Sequence, residues 1–377
     1  MKVTFFSNFL LHHQTPFCEA MVSRIGDGFR FVATEPIPQD RLDMGYRNLE
    51  TAPYAVNAYK DDASYNEALR LGLESDVVII GNAPDVFIEQ RMKENKLTFR
   101  YHERFFKKFR WRFDPRAWKM HYLQDTRYRR KNMHMLCASA YTAPDCRFVF
   151  AYPKKTYKWG YFPPIAQQSY QDLSALKSRD DAVHILWASR FIPLKHPEEV
   201  VRLCKQLKQD GKRFTIEMLG IGELREEYER IVRQEGLGEN IFFSGPYPPE
   251  EVLERMKRSD IFLFTSDKNE GWGAVMNESM SCACAPVACR EIGSVPFLIE
   301  NGVNGFVYDK HGKNSLYLCV KRLIEDAQLR ETIQKNAFDT VKNVWNAEAA
   351  TDRLLHLIDC IQTGQETGYT YGPCSRA

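Results

Sequence analysis

Two glutamates in the C-terminal half of the chain, Glu270 and Glu278, enclose a loop that contains glycine. An ionised carboxylate only accepts hydrogen bonds, so a pair of carboxylates suits a ligand rich in hydroxyl groups, such as ribose or a hexose. Gly271 and Gly273 let the backbone turn tightly and come close to a ligand. The pattern therefore indicates a site for a sugar or a nucleotide. Two unconnected surface acids near a turn are the alternative interpretation.

The elements that must position this loop are a strand before it and a helix after it. Residues 261–264 form an apolar run that predicts a buried parallel strand. Residues 274–283 are compatible with a helix, and residues 286–288 begin the next strand. The glycines therefore lie where a helix begins. The unpaired N–H groups and partial positive charge at that end favour phosphate or sugar oxygens.

The spacing Glu-x7-Glu with an embedded Gly-Trp-Gly, followed by Ala-Pro-Val, resembles the donor-site signature of retaining glycosyltransferases of family 4. Residues 293–302 strengthen the resemblance, which covers most of residues 183–361 with specific motifs and the first lobe more loosely. Residues 7–16 and 158–164 are similar to the branch of this family from bacterial polysaccharide biosynthesis.

The resemblance implies the α/β GT-B fold, in which two Rossmann-like lobes with parallel sheets face each other across a central cleft. A C-terminal helix would return to the first lobe. It also implies transfer of a hexosyl group from a UDP- or GDP-linked sugar, with retention of anomeric configuration, to a glycan or a polyprenyl-phosphate-linked acceptor. The nucleotide sugar is then a co-substrate, and no other cofactor is expected.

The resemblance further assigns roles to individual residues. Glu278 would accept hydrogen bonds from the ribose and Glu270 from the donor sugar. Arg190 and Lys195, in the loop after a predicted strand at residues 184–188, would stabilise the leaving diphosphate. Fixed cations in a crevice are suited to that task, although two exposed basic residues are the alternative. The further residues expected on the donor side are Gly271, Trp272, Gly273, Gly222, Gly245, Pro246 and Tyr247.

Alternation of strands and helices in the first half of the chain predicts a parallel sheet with helices on both faces. The predicted strands are residues 3–6, 29–34, 76–80 and 97–101. His12, His13 and Gln14 follow the first strand, which places them at the cleft on the acceptor side; a surface role is equally compatible. His102 follows the fourth strand, and the resemblance places it against the donor sugar as a catalytic residue.

The length of 377 residues is sufficient for two domains. We expect an N-terminal lobe of residues 1–166 completed by about 346–362, and a nucleotide-sugar-binding lobe of residues 183–345. Residues 167–182 read as a polar linker. Residues 363–377 are polar and contain glycine, so they predict a disordered tail.

Positive charge is concentrated in residues 100–158, which contain sixteen Lys or Arg and four Asp or Glu although the whole chain has a net charge of +3. Aromatic residues are interleaved with these cations between residues 105 and 131. A solvated charged face is the default interpretation. An anionic membrane surface is the second. Nucleic acid is not expected as a partner, because no recognised nucleic-acid motif accompanies the charge.

Several signals are missing from the sequence. It has no apolar run of about 20 residues and no signal-peptide pattern at its N-terminus, and its ten cysteines show no C-x-x-C spacing. We therefore expect reduced thiols and a cytoplasmic protein, with a peripheral position on the inner face of the plasma membrane as an additional option. No Asp-x-Asp site is evident, so no metal is expected. A catalytically silent nucleotide-sugar-binding subunit and a sugar-nucleotide epimerase are the alternative functions.

Overall fold

The computed structural model describes residues 1–39, 42, 48–107, 109–177, 182–310 and 315–377. The chain forms two compact units. Unit 1 consists of Met1–Pro164 and Asn346–Ala377, and unit 2 consists of Ile165–Trp345. The fold is α/β in both.

Each unit is built on one parallel sheet. The strands of unit 1 are β1 (Val3–Ser7), β2 (Phe29–Ala33), β3 (Ala55–Asn57), β4 (Val77–Ile80), β5 (Thr98–His102), β6 (Met133–Cys137) and β7 (Thr156–Lys158). The strands of unit 2 are β8 (Val183–Ala188), β9 (Phe214–Leu219), β10 (Ile241–Ser244), β11 (Ile261–Phe264), β12 (Ala285–Cys289) and β13 (Phe306–Tyr308).

Helices connect the strands. Those of unit 1 are α1 (Thr15–Ile25), α2 (Asp62–Glu74), α3 (Glu89–Lys93), α4 (Pro115–Gln124), α5 (Thr142–Phe148) and, after unit 2, α14 (Ala347–Thr363). Those of unit 2 are α6 (Tyr170–Leu176), α7 (Pro197–Gln209), α8 (Arg225–Gln234), α9 (Pro249–Arg258), α10 (Val275–Ser281), α11 (Val295–Leu298), α12 (Leu316–Glu325) and α13 (Ala327–Asn343).

The sheet orders are β3-β2-β1-β4-β5-β6-β7 in unit 1 and β10-β9-β8-β11-β12-β13 in unit 2. Central strands such as β4 and β11 are buried along their whole length. Uninterrupted apolar strands are expected where helices cover both faces of a parallel sheet. The apolar runs found in the sequence therefore correctly predicted the two-sheet α/β architecture.

Helix α14 returns the chain to unit 1, as the sequence predicted. The Asn346 side chain accepts a hydrogen bond of 2.9 Å from the Ala349 N–H and caps the helix. Arg24 at the end of α1 pairs with Asp352 and Glu348 of α14, both at 2.7 Å. Unit 1 is therefore assembled from two segments of the chain that are far apart in sequence.

The predicted linker at residues 167–182 is partly a folded element of unit 2. Ser169 and Asp172 form a capping box at the start of α6, which spans Tyr170–Leu176. Leu173 is completely buried against Ala283 and Phe338. The linker prediction was therefore wrong for this helix, and residues 178–181 lie outside the described part of the chain.

The prediction of a disordered tail was also wrong. Residues 374–377 run antiparallel to β7, with a 2.8 Å hydrogen bond from the Lys158 N–H to the Ser375 carbonyl and one of the same length from the Cys374 N–H to the Lys158 carbonyl. The Cys374 side chain is fully buried. Backbone pairing with an exposed sheet edge orders these residues, which composition alone could not indicate.

No helix in the described part of the chain is long and apolar enough to cross a membrane. All ten cysteines are buried as free thiols.

Introducing aspartate at a buried and at an exposed position tests whether the C-terminal tail packs on unit 1. Cys374→Asp would place a carboxylate in an apolar environment and should lower the free energy of unfolding by about 3 kcal/mol or more. Thr370→Asp places a carboxylate at an exposed position of the same tail. This substitution should change the free energy of unfolding by less than about 0.5 kcal/mol. Denaturant unfolding measures both, and equal effects would mean that the tail does not pack on unit 1.

Candidate functional site

The side chains of Lys195 and Glu270 form an ion pair in unit 2. Lys195 lies in the loop after β8 and Glu270 in the loop after β11, which are neighbouring strands of the sheet. Only 12% of the Lys195 side chain and 16% of the Glu270 side chain are exposed. The sequence assigned the two residues to different parts of a donor, and the structure brings them into direct contact.

Backbone and hydroxyl contacts fasten the loop that carries Lys195 to the end of β11. Thr265 donates a 2.5 Å hydrogen bond to the Lys195 carbonyl, and the Asp267 N–H donates one of 3.0 Å to the Leu194 carbonyl. The buried indole of Trp187 in turn donates a 2.8 Å hydrogen bond to Thr265. The position of the Lys195 ammonium is therefore set by the core of unit 2.

The same loop is joined to the loop after β9 on its other side. The Phe191 N–H donates a 2.8 Å hydrogen bond to the Ile221 carbonyl. Gly222 has φ +149°, and a Cβ there would lie 2.4 Å from the Phe191 carbonyl oxygen. The close approach of two backbones therefore accounts for glycine at this position, and a donor-binding role for Gly222 stays a prediction.

Arg225 connects the loops after β9 and β10. Its guanidinium donates hydrogen bonds to the carbonyls of Gly220 at 2.6 Å, Ser244 at 3.1 Å and Gly245 at 2.8 Å. Nothing in the sequence pattern singled out Arg225. Four loops at the carboxyl edge of the sheet, those after β10, β9, β8 and β11, therefore form one connected row.

The other donor-side predictions lie on this row or beside it. Pro246 is exposed and Tyr247 is half-buried beneath the Arg255 guanidinium, which lies 4.0 Å from the centre of its ring. Arg190 is exposed next to Phe191, and within the described residues its side chain has no hydrogen-bond or ion-pair partner. An exposed cation in the loop that also carries Lys195 is compatible with the anion-binding role expected of it, which stays a prediction.

Trp272 belongs to the core. Its side chain is fully buried, its Nε1 donates a 2.9 Å hydrogen bond to Asn277, and its ring lies 5.7 Å from that of Trp345. The side chain therefore anchors the loop of Glu270 and does not face a ligand. Gly273 beside it has φ +79°, and a Cβ would lie 2.2 Å from the Phe264 ring, so only glycine fits.

Glu278 is half-buried on α10, and burial raises the pKa of its carboxyl group to about 7. No group in the described part of the chain donates a hydrogen bond to this carboxylate. A desolvated carboxyl without a partner is a candidate functional group, because such an arrangement has no structural benefit.

Two buried hydroxyl groups at the carboxyl edge were not assigned a role from the sequence. Ser266 follows β11 and Ser294 follows β12, and neither hydroxyl has a hydrogen-bond partner among the described residues. Buried polar atoms are normally paired, so these hydroxyls are suited to a ligand oxygen or a bound water. Only their place after predicted strands could have drawn attention to them.

A second polar cluster lies at the carboxyl edge of the unit 1 sheet. Glu103, directly after β5, accepts a 2.9 Å hydrogen bond from the Tyr161 hydroxyl and pairs with Lys107 at 2.9 Å. Burial raises the pKa of Tyr161 well above its usual value, so the hydroxyl keeps its proton. The His13 ring lies 4.8 Å from the Tyr161 ring. The structure thus joins residues after β1, β5 and β7.

Of the residues predicted for this edge, His13 and His102 are close to the cluster. His102 is exposed, and its Nδ1 donates a 2.8 Å hydrogen bond to the Glu103 carbonyl, which leaves Nε2 as an acceptor. The Gln14 side chain accepts a 3.1 Å hydrogen bond from the Leu11 N–H and closes its own turn. The His12 ring packs edge-on against His13 at 5.4 Å. Sequence reasoning missed Glu103 and Tyr161.

Among the residues that the structure describes, no group of three or more His, Cys, Asp or Glu could hold a metal ion.

Residues 171–340 match the family model described as glycosyl transferases group 1. This span contains Arg190, Lys195, Glu270 and Glu278. Over this span the chain is therefore similar to the group 1 glycosyltransferases.

Curated relatives that match about half of the chain are also named as glycosyltransferases. An alpha-D-kanosaminyltransferase from Streptomyces kanamyceticus is 25% identical over 46% of this chain and 45% of the relative. An N-acetylgalactosaminyltransferase from Campylobacter jejuni, named for a diphospho-undecaprenol-linked acceptor, is 27% identical over 52% of this chain and 50% of the relative. The chain thus spans about half the length of these relatives.

Solved structures extend the similarity of fold to both units. HepE from Anabaena in complex with UDP has a TM-score of 0.70 at 15% identity and covers 95% of this chain and 100% of its own. A glycosyltransferase from Rickettsia africae has a TM-score of 0.67 at 13% identity, covering 97% and 99%. Together with the two parallel sheets, these neighbours confirm the predicted GT-B fold.

Gly222→Ala tests whether close backbone approach sets the loop after β8. Because the new Cβ would meet the Phe191 backbone at a positive φ, we expect a loss of at least about 2 kcal/mol in the free energy of unfolding. Gly238→Ala is the matched control, since no atom lies within 4 Å of its Cβ position, and it should be neutral or slightly stabilising. Equal losses in the two variants would contradict the packing argument.

The Glu278→Gln substitution tests how much the desolvated carboxyl group lowers the free energy of unfolding. Because the pKa of Glu278 is raised to about 7, the folded protein binds more protons than the unfolded chain between about pH 4.5 and 7. The free energy of unfolding of the wild-type protein therefore falls as pH rises through this interval, because the Glu278 carboxyl group must ionise in a buried position. The variant should be more stable than wild type at pH 8, by on the order of 2 kcal/mol, and should lose this pH dependence.

The exposed Glu291→Gln substitution is the control and should leave the pH dependence unchanged. Thermal unfolding between pH 5 and pH 8 measures all three proteins. A Glu278→Gln variant that is less stable than wild type at pH 8 would show that the carboxylate has a structural partner.

Proposed function

We propose that this chain is a retaining glycosyltransferase that moves a hexosyl group from a nucleotide sugar to a glycan or a lipid-linked acceptor. The observation that carries the proposal is the largely buried Lys195–Glu270 pair, which lies within the residues that match the group 1 model. A cation and a carboxylate held side by side match a donor that has a diphosphate next to a hydroxyl-bearing ring.

Lys195 and Glu270 have different roles in the proposed reaction. As the bond between sugar and phosphate breaks, negative charge grows on the departing diphosphate, and Lys195 and Arg190 stabilise it. Glu270 accepts hydrogen bonds from the sugar hydroxyls and holds Lys195 in place before the donor arrives. Because both groups are positioned in advance, little reorganisation is needed in the transition state.

The proposed nucleotide is a uridine diphosphate. Support comes from HepE, a structural neighbour whose crystal structures contain UDP, UDP with glucose, and UDP-glucose. We assign the ribose hydroxyls to Glu278, whose carboxyl group has no other partner in the described chain. Donor binding is then the event that offsets the cost of burying it.

The proposed acceptor site is the unit 1 cluster of His13, His102, Glu103 and Tyr161. It offers a tyrosine hydroxyl, a carboxylate and an imidazole acceptor within one polar surface, which suits the hydroxyl groups of a sugar. A lipid-linked acceptor is supported by the name of the Campylobacter relative. The departing phosphate, and not a protein base, would take the acceptor proton on the same face of the sugar.

The function is tested by thermal-shift screening against UDP-, GDP- and ADP-sugars, followed by transfer assays with the donor that raises the melting temperature most. We expect a UDP-hexose to bind, and nuclear magnetic resonance of the product to show the anomeric configuration of the donor. Inversion would overturn the mechanism. Donor binding without hydrolysis or transfer to any acceptor would instead favour a silent binding subunit.

Lys195→Ala should lower the rate of transfer by about two orders of magnitude, because a preorganised charge on the leaving group is lost. Glu270→Gln should lower it too. The double variant should lose less than the two single losses combined, because each single change leaves the other charge buried and unpaired.

Lys205→Ala is the matched control, since it removes a lysine of an exposed ion pair, that with Glu235 at 2.7 Å. Its rate should equal that of wild type. Full activity in Lys195→Ala, or strictly additive losses in the double variant, would refute the role of the pair.

A further inference from the structure

An unusual concentration of exposed apolar side chains lies in unit 1, between residues 111 and 150. Seven of the sixteen large apolar side chains that the described chain exposes fall within residues 111–150. Phe113 is 70% exposed, more than any of the others. Contiguous exposed apolar surface on a folded protein usually marks a site of interaction.

Exposed apolar and basic side chains share one face of α4. On α4 the exposed residues Arg116, Lys119, Met120 and Leu123 recur at intervals of three and four, so they occupy the same helical face. The turn before the helix adds Trp111 and Phe113. We call these six residues the basic-apolar patch.

The patch is rigidly held by its buried side. The Trp118 Nε1 donates a 2.7 Å hydrogen bond to the Arg112 carbonyl, which ties α4 to the preceding turn. The fully buried Asp145 accepts hydrogen bonds from the Phe105 N–H at 2.9 Å and the Phe106 N–H at 3.2 Å, and pairs with Arg112 at 3.3 Å. The exposure of Phe113 is therefore not the result of a loose segment.

The charge of the surrounding surface is one-sided. Residues 109–131 contain eight Lys or Arg and two Asp. Both acids are used internally, since Asp114 caps α4 through the Arg116 N–H at 2.8 Å and Asp125 is buried against His121 at 3.1 Å. The face presented to solvent is accordingly cationic.

We propose that the basic-apolar patch docks unit 1 on an anionic lipid bilayer, with Phe113, Met120 and Leu123 entering the acyl boundary while Arg116 and Lys119 meet lipid phosphates. Interleaved cations and large apolar side chains on one helix face are suited to this interface. Met120 and Leu123, which are 45% and 42% exposed, are aliphatic. Aliphatic side chains favour hydrocarbon over nucleic acid, whose bases stack on aromatic rings.

The proposal is tested by sedimentation of the full chain with phosphatidylcholine vesicles, with and without phosphatidylglycerol. We expect binding to the anionic vesicles that weakens with added salt and is absent or at least about tenfold weaker on neutral ones. Phe113→Ser combined with Leu123→Ser should reduce binding to anionic vesicles by at least about tenfold. Arg116→Gln combined with Lys119→Gln should reduce it by about fivefold for each charge removed.

Matched controls come from exposed residues of unit 2. Phe242→Ser removes a phenylalanine that is 47% exposed, and Arg202→Gln with Lys205→Gln removes two surface cations. Both should bind vesicles as wild type does. Thermal unfolding of each variant confirms that it is folded.

Three results would overturn the proposal: no binding to either vesicle, equal loss in patch and control variants, or tighter binding to a single-stranded RNA homopolymer than to anionic vesicles. A self-association that Phe113→Ser and Leu123→Ser abolish, without vesicle binding, would assign the patch to a second copy of the chain instead. Vesicle binding and sugar transfer are separate measurements, so failure of one does not decide the other.

Discussion

The charge balance between Lys195 and Glu270 is the interaction on which the second unit's functional edge depends. Both groups are largely withdrawn from water, so each would be costly without the other. Their contact also explains why the loop after β8 must be fixed on both sides. A shift of that loop would separate the charges as well as misplace the ammonium group.

The surrounding architecture supplies that fixation mainly through the backbone. Gly222 allows the main chain of Phe191 to approach closely, and Thr265 donates a hydrogen bond to the Lys195 carbonyl. Arg225 donates hydrogen bonds to carbonyl groups of two further loops. Such contacts leave little freedom at the edge of the sheet. Glu278 is different, because its carboxyl group is desolvated without internal compensation. A residue that lowers the stability of the folded protein, as Glu278 does here, is characteristic of a position retained for binding.

The fold could be predicted because its signals are local. Apolar runs at residues 3–6, 76–80 and 261–264 marked buried strands that the structure reproduces. The edge strands β3 and β7 were missed. The order of the tail depends on pairing with β7, more than 200 residues away.

The candidate site was predictable as a set of residues but not as an arrangement. The family resemblance identified Lys195, Glu270 and His102, and their places after strands agree with the rule that parallel strands gather their carboxyl ends at one edge. Spacing cannot show that Lys195 contacts Glu270, or that Trp272 turns inward. Glu103 and Tyr161 meet across 58 positions of the chain, so neither has a local signal that points to the other.

The division of unit 1 between the two ends of the chain has a consequence for biosynthesis. Unit 2 is continuous in sequence, so it can fold as soon as it has left the ribosome. Unit 1 must wait for α14, and until Arg24 meets Asp352 one face of α1 stays uncovered. The half that binds the nucleotide in our proposal would therefore mature first, and the half that carries the basic-apolar patch would be completed last.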